Sequence, residues 1–457
     1  MKKIKQLLIC LALTQAGAGH AEDLLTIYQQ ALDADPKLKQ AELKVEIGAA
    51  QKGQALGAML PQVSGNTNWS KNNQTSNQLL TTCRQPPCTT YYTGIRYSVS
   101  LTQTVLDFAK FWDWRRAQAV EDQYASENIE AQHNLMFKVV EKYFNVLEAE
   151  DQLTFIQAER DTTSKQLEQV QKQFAKQLVL ITDVYEVEAR LDQIKATVIE
   201  AETQLVVANE SLKELTNLMP TGLYKLRDEI EYKILEGKLE DWIEVAKSEN
   251  PLLAAQISAI AAASNDVAVQ KSRYLPVVDM QLMYNNTNTG YQSINLNNTY
   301  ETQVAAINVN IPLFTGGVTS NRMFEAQHRL SMNKYENESK IRALIKETSD
   351  SFLSSNANVK RISATRKALE STIKARESLE TGFRYGNETI GDVLRAQQAE
   401  FKAMRDLAQA KYAYIKNKMR FMQATGLISD NNMVEINNWL QVNPNQIDQA
   451  QALVNEK

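Results

Sequence analysis

Residues 111–177 and 320–384 each carry one exceptionally long helical pattern. At about 1.5 Å per residue, each predicts a rod on the order of 100 Å long. No compact domain needs that length, so the chain is expected to be mainly α and extended. From Val184 the apolar positions run Val187, Leu191, Ile194, Val198, Ala201, Leu205, Ala208, Leu212 and Leu215. Steps of three and four in strict alternation make a heptad seam, which packs helices into a coiled coil. A second run from Leu394 through Phe401, Met404, Ala408, Ile415 and Met422 is interrupted by Gln397, Lys411 and Lys418. These polar residues are either register devices or a sign that another face is buried.

The chain also repeats itself. "FAKQLVLITDV" (174–184) and "FRYGNETIGDV" (383–393) place Phe174, Ile181, Asp183 and Val184 against Phe383, Ile390, Asp392 and Val393 at a constant offset of 209. Upstream, Asp35-Pro36 opens a helical run that stops at Leu60-Pro61, and Asn250-Pro251 opens one that stops at Leu275-Pro276. Asp or Asn before proline is a helix start, and Leu-Pro a stop. The chain is thus an internal duplication: a first repeat over 22–218, a link over 219–248, a second repeat over 249–426 and a tail over 427–457.

After each stop the period becomes two. Ile95, Tyr97, Val99, Leu101 and Val105 alternate with Arg96, Ser98, Ser100, Thr102 and Thr104, while Ala305, Ile307, Val309, Ile311 and Leu313 alternate with Ala306, Asn308 and Asn310. With weaker runs from Gln62 and Val278, one hairpin is expected per repeat, over 62–72 with 94–106 and 277–287 with 303–313. A soluble sandwich would alternate in the same way. Two features favour an outer-membrane barrel instead: the polar face is small and hydroxyl- or amide-bearing, and aromatics such as Trp69, Tyr91, Tyr92, Tyr97, Phe108, Phe111, Trp112, Tyr284 and Phe314 gather at strand ends. Four strands cannot close a barrel, so that reading requires oligomerisation.

The first 21 residues combine Lys2, Lys3 and Lys5, a short apolar stretch and Gly19-His20-Ala21, the pattern of a cleaved secretory signal. Removing three lysines and no acidic residue takes the formal charge from −4 to −7, so nothing in the chain is basic enough to suggest a nucleic-acid partner. No later segment of some 20 apolar residues is apparent, so no membrane-spanning helix is expected. Cys10 lies inside the leader; Cys83 and Cys88, in "CRQPPC", are expected to form a small disulfide loop. Beyond the leader only His133 and His328 occur, with no phosphate loop, no catalytic triad and no metal-spaced cluster, so neither enzyme chemistry nor a cofactor is expected.

Taken in order, "YQQALDADPKLKQAE", "LPQV", "SLTQTVLDFAKF", "KYFNVLEAEDQL", "ITDVYEVEARLD", "LPVVD", "NIPLFTGG" and "GNETIGDVL" resemble the TolC family of trimeric outer-membrane efflux and secretion ducts. The resemblance implies a homotrimer sharing a transmembrane β-barrel of about 12 strands, four from each chain. It also implies a coiled-coil α-helical barrel crossing the periplasm and an equatorial belt made of the 219–248 link and the tail. The expected partners are outer-membrane lipid, a periplasmic adaptor (membrane fusion) protein and an inner-membrane pump, ABC-type or proton-driven. The duct conducts passively, as the exit of a tripartite efflux or type I secretion system.

The two copied stretches look like the family's periplasmic helix tips, where the gate lies. Asp392 matches an acidic ring residue, which three-fold symmetry would bring close to its copies. The family's second ring position is Arg395 here, three residues on and able to pair with Asp392. Asp183 matches a gating carboxylate whose arginine partner is replaced by Glu388, leaving Arg384 and Lys176 as candidate links. Phe383 stands in place of a tyrosine, and Gln177 in place of a glycine. With Leu178, Gly386 and Asn387, Gln177 would form the adaptor-docking tips. The rival reading is a trimeric coiled-coil surface adhesin or structural stalk.

Overall fold

The computed structural model describes residues 22–77, 85–291 and 297–442. The leader, Cys83 and residues 443–457 of the tail lie outside them, and with them the expected signal peptide and disulfide loop. Within the described residues Cys88 is buried. The helices are α1 (Leu24–Ala34), α2 (Pro36–Gly57), α3 (Phe108–Ala175), α4 (Ile181–Thr216), α5 (Leu239–Glu249), α6 (Pro251–Ser272), α7 (Val318–Arg384), α8 (Ile390–Ala424) and α9 (Asp430–Asn437). The strands are β1 (Gln62–Ser76), β2 (Cys88–Leu106), β3 (Lys225–Leu226), β4 (Val277–Tyr291), β5 (Asn297–Asn310) and β6 (Leu440–Gln441).

The long helical patterns become α3, of 68 residues, and α7, of 67. The proline-led helices α2 and α6 begin at Pro36 and Pro251 as expected. One expectation is corrected: α6 is long and apolar enough, by length and composition, to cross a membrane. Its apolarity is largely alanine, and its polar face is engaged: Asp266 pairs with Arg116 of α3 at 3.3 Å, and the Asn265 amide donates to the Arg115 carbonyl.

The chain divides into two compact units. One, drawn from Glu42–Glu127 and Ala254–Ser339, contains the antiparallel sheet β1-β2-β4-β5. Pairing runs further than the periodicity predicts, out to Ser76↔Cys88 and Gly290↔Asn297, because polar Asn- and Thr-rich stretches read as loops continue the ladder. Conversely β5 stops at Asn310, since Pro312 has no N–H to give, and Leu313 and Phe314 are exposed.

Register assigns the faces. Val63 lies opposite Leu101 and Leu101 opposite Leu282; Val99 faces Tyr284, and Met280 faces Ile307. Trp69, Ile95 and Tyr97 continue this apolar face, which is bare: Trp69 is 68 % and Ile307 72 % exposed. Ser64, Ser100, Asn66, Ser98, Asn285 and Thr302 form the other face. Tyr92, counted among the expected girdle aromatics, lies on this polar face by its pairing with Asn72. Both edge strands, β1 and β5, leave one side unpaired over their length.

The other unit, drawn from Met1–Ala41, Asn128–Leu253 and Lys340–Lys457, holds the main core. Tyr143, Phe144 and Leu147 of α3 pack with Leu212 of α4, Ile415 and Met419 of α8, Ile27 of α1 and Met433 of α9. The Tyr143 hydroxyl sits 3.2 Å from the Glu22 carbonyl and 3.0 Å from that of Tyr224, tying the N-terminal segment to the inter-repeat link. That link also pairs with the tail: β3 and β6 form a two-stranded ladder, and Arg227 donates its N–H to the Trp439 carbonyl at 2.9 Å.

The predicted seam of α4 is buried at Val184, Val187, Leu191, Ile194, Val198, Ala201, Leu212 and Leu215. On α8 the seam reading holds only in part. Leu394, Gln397 and Ile415 are buried, but further along Tyr412, Met419 and Phe421 are the residues that face inward. Lys411 and Lys418 reach outward to Asp228 and Glu435, so they mark the flank of the buried face rather than its centre.

Candidate functional site

The copied stretches fold into two helix-to-helix tips with the same backbone scheme. At the first, the Leu178 N–H donates to the Gln173 carbonyl at 3.0 Å and the Gln177 N–H to that of Phe174 at 2.8 Å. At the second, Asn387 donates to Gly382 at 2.9 Å and Gly386 to Phe383 at 3.0 Å. Both are Schellman caps, which close the last carbonyls of α3 and α7 and require a left-handed residue just past the helix. That residue is Gly386 (φ 78°) at the second tip and Gln177 (φ 55°) at the first. Glycine adopts this conformation freely; glutamine does so against a Cβ clash.

The outgoing helices begin differently. Thr389 caps α8: its hydroxyl accepts from the Asp392 N–H at 3.2 Å, while the Asp392 carboxylate accepts from the Thr389 N–H at 3.3 Å and from its hydroxyl. This is a reciprocal capping box. At the start of α4, the Asp183 carboxylate accepts from the Leu180 N–H at 3.0 Å, but the leucine side chain has no oxygen, so the Asp183 N–H donates to the Leu180 carbonyl at 3.1 Å and only half the side-chain box is made. Arg395 reaches back to Asp392 at 2.5 Å, as its spacing predicts. The Asp392 carboxyl is consequently held below its ordinary value, first by the Thr389 hydroxyl, then by Arg395 and the Thr389 N–H.

Asp183 folds back on its own helix start, and the Glu388 side chain lies over Gly382, whose absent Cβ would sit 2.6 Å from Glu388 Cγ. A second carboxylate, Glu186 of α4, lies against Gly391 of α8, where a Cβ would meet its oxygen at 2.7 Å. Arg384 bonds to Thr381 on its own helix at 3.3 Å rather than to a carboxylate. Beneath the turns Val170, Val184, Val187, Ile390 and Leu394 form a small apolar core, with Phe383 and Val179 against it. Leu178 and Tyr385 at the turns are strongly exposed.

Further along the helices lie two ionic clusters that the sequence reading misses. Glu159 of α3, only 4 % exposed, is held by Arg190 of α4 at 2.6 Å and by Arg405 of α8 at 3.1 Å. Arg376 of α7 pairs with Glu380 at 2.8 Å and with the buried Glu400 of α8, and Gln397 donates to Glu380 at 3.2 Å. A signal for the first existed: Ile156, Glu159, Thr163 and Val170 fall at seam spacing, so Glu159 occupies a core position. Other α8–α3 links follow toward the C-terminus of α8: Tyr412 to Asp151 at 2.6 Å, Lys416 to Glu148 at 2.8 Å and Arg420 to Glu141 at 3.5 Å. Nothing in either cluster arranges a nucleophile beside a base.

Comparison with known proteins fits this geometry. The sequence profile described as "Outer membrane efflux protein" matches residues 27–218 and 242–427. The chain is 30 % identical to Outer membrane protein TolC of Vibrio cholerae, with 97 % of this chain and 99 % of that protein aligned. It is 27 % identical to the alkaline protease secretion protein AprF of Pseudomonas aeruginosa over 89 % of this chain and 85 % of the relative. Among solved structures, the Campylobacter jejuni CmeC outer membrane channel superposes with a TM-score of 0.79 at 16 % identity, covering 92 % of this chain and 90 % of that one. CusC does so at 0.76 and 18 % identity, covering 91 % and 95 %. These comparisons give the adhesin or stalk alternative no support. By profile, by near full-length identity and by fold, the chain belongs to the outer membrane efflux protein family, whose members are outer-membrane channels rather than enzymes.

Proposed function

We infer that three copies of this chain close one transmembrane barrel of twelve strands and form an exit duct of a tripartite efflux or type I secretion system. One observation carries this reading: a four-stranded sheet with a bare apolar face and two long unpaired edges, attached to helices of 67 and 68 residues. An edge strand of that length left open in lipid is untenable, because nothing there can satisfy its N–H and C=O groups. Pairing β5 of one copy with β1 of the next satisfies every edge at once. The apolar face then meets lipid and the hydroxyl- and amide-bearing face lines water.

The helical part is the periplasmic conduit, and the inter-repeat link with its paired tail is the equatorial belt. The gate lies at the two tips. Asp392, repeated three times about one axis, forms an acidic ring whose charge Arg395 partly offsets. Phe383 packs the gate from behind, and Asp183, Glu388 and Arg384 tune it. Gln177, Leu178, Gly386 and Asn387 meet a periplasmic adaptor, whose inner-membrane pump drives transport. Cargo of the kinds carried by TolC-like ducts, drugs or secreted proteins, passes without chemical change.

The test is detergent-extracted protein examined for trimers and then for single-channel current in planar bilayers. A monomer or dimer, or trimers without conductance, would end this reading. In the conducting form, Asp392→Asn is expected to change the cation preference. Glu388→Arg lowers resting conductance if its longer side chain reaches Asp183.

A further inference from the structure

We propose that Arg96 is a specificity-determining residue of the barrel bore, where three copies form a cationic ring that favours anions. This rests on the trimeric barrel inferred above. Register puts Arg96 on the polar face, between Asn68 of β1 and Thr287 of β4. Its diagonal neighbours Asn66, Ser70 and Asn285 are uncharged, so no carboxylate of the sheet lies beside it. Among described residues, Asp279 is the one other charged residue on that face, paired in register with Thr104 and Asn308. Asp279 is eight residues from Thr287 along β4, or about 26 Å, too far to form an ion pair with Arg96.

The opposite surface fixes the level. Beside Arg96 the opposite face carries Trp69, Ile95 and Tyr97 on β1 and β2 but Asn286, Asn288 and Glu301 on β4 and β5, so this arginine lies at the end of the apolar band, at the level of its aromatics, and its charge faces the bore. The arginine is exposed within a field of hydroxyls and amides. A ring of fixed positive charge in a low-dielectric wall raises the local concentration of anions and lowers that of cations. Its reach is set by screening, about 30 Å in 10 mM salt and about 3 Å in 1 M. Selectivity from Arg96 is therefore a low-salt property of a wide pore.

The experiment uses the full-length trimer in planar bilayers under a salt gradient, reading the zero-current potential. At about 10 mM salt, Arg96→Gln is expected to raise the cation-to-anion permeability ratio at least about threefold, with the difference vanishing near 1 M. Thr287→Asp leaves the arginine in place and sets a carboxylate opposite it, so it should give the same shift if the loss of Arg96 harms folding. Arg96→Lys should keep the parental potential. A conducting trimer whose low-salt potential is unmoved by Arg96→Gln and Thr287→Asp would overturn the Arg96 assignment alone. Parental protein that forms no conducting trimer would overturn it together with the barrel.

Discussion

The first tip turns on Gln177 and places Leu180 at the cap of its next helix; the second turns on Gly386 and places Thr389 there. Both form the same Schellman cap and both place an aspartate three residues past the cap position. Only the second satisfies its turn with glycine and its box with a hydroxyl. The duplication has thus kept the backbone scheme while the side chains that relax it survive in one copy. Asp183 and Asp392 have the same local reason to exist, capping a helix, before any role in a pore. The first tip is the strained one, and the second is the better-capped one.

A further difference lies behind the tips. The α3–α4 hairpin is tied to α8 through Glu159, whereas the α7–α8 hairpin is tied within itself by Arg376 and Glu400. Replacing Glu159 with Gln leaves Arg190 and Arg405 facing each other with no countercharge in a largely buried site. Breaking a buried pair by removing one partner costs about 3 kcal/mol. This is the largest effect expected, read as a lower unfolding midpoint and faster amide exchange along both α4 and α8. Exchange that rises in α4 alone would sink the idea that Glu159 joins the hairpins.

The turn residues come next. Gln177→Gly is expected to stabilise the first tip by about 0.5–1 kcal/mol, the relief of left-handed strain less the entropy glycine adds to the unfolded chain. Gly386→Gln should cost the second tip about 1 kcal/mol by the same reasoning. Equal and opposite shifts in denaturant midpoint would show that the two turns are interchangeable. A neutral Gln177→Gly would mean that the glutamine side chain recovers its strain elsewhere.

Smaller still is the helix start. Thr389→Ala removes the hydroxyl that caps α8 and should cost about 1 kcal/mol, while Leu180→Thr completes the box at the first tip and should gain somewhat less. Local exchange at residues 181–184 and 390–393 reads both. A Leu180→Thr variant with unchanged exchange would show that Leu180 is kept for contacts outside this chain.

How legible these features are in the sequence follows from what kind of physics each obeys. The long helices, the proline-led starts and the α4 seam are periodic and local, so Val184 to Leu215 can be read position by position. Strand ends escape such a reading because Asn and Thr suit a water-facing sheet as well as a loop, and nothing in "NNQTS" distinguishes them. Glu159 escapes it because a carboxylate at a seam position is explained only by Arg190 and Arg405, which come from two other helices. The expectation that Asp183 and Glu388 oppose each other rests on analogy between aligned positions. Within one chain Asp183 accepts from the Leu180 N–H and the Glu388 side chain lies against Gly382. The pairing of Asp392 with Arg395 is readable because i and i+3 on a helix meet whatever the rest of the chain does.

The finest effect expected at the second tip is its response to acid. The Asp392 carboxyl is lowered by the Thr389 hydroxyl first and by Arg395 second, so its contribution is present above the unfolded value near about 3.9 and is lost as pH falls through the folded one. Between pH 7 and about 5 the second tip should therefore hold steady, and its capping should weaken only below about pH 4. The Asp392 side chain is partly open to water, so solvent and salt screen the effect and it should be the smallest of those above. Asp392→Asn isolates it: asparagine still accepts hydrogen bonds from helix N–H groups but does not titrate over this range. Amide exchange at residues 390–393, corrected for intrinsic rates, should show an acid step in the parent and none in the variant. A step of equal size in both would assign the acid response to another group and leave Asp392 as a cap whose charge is immaterial to the tip.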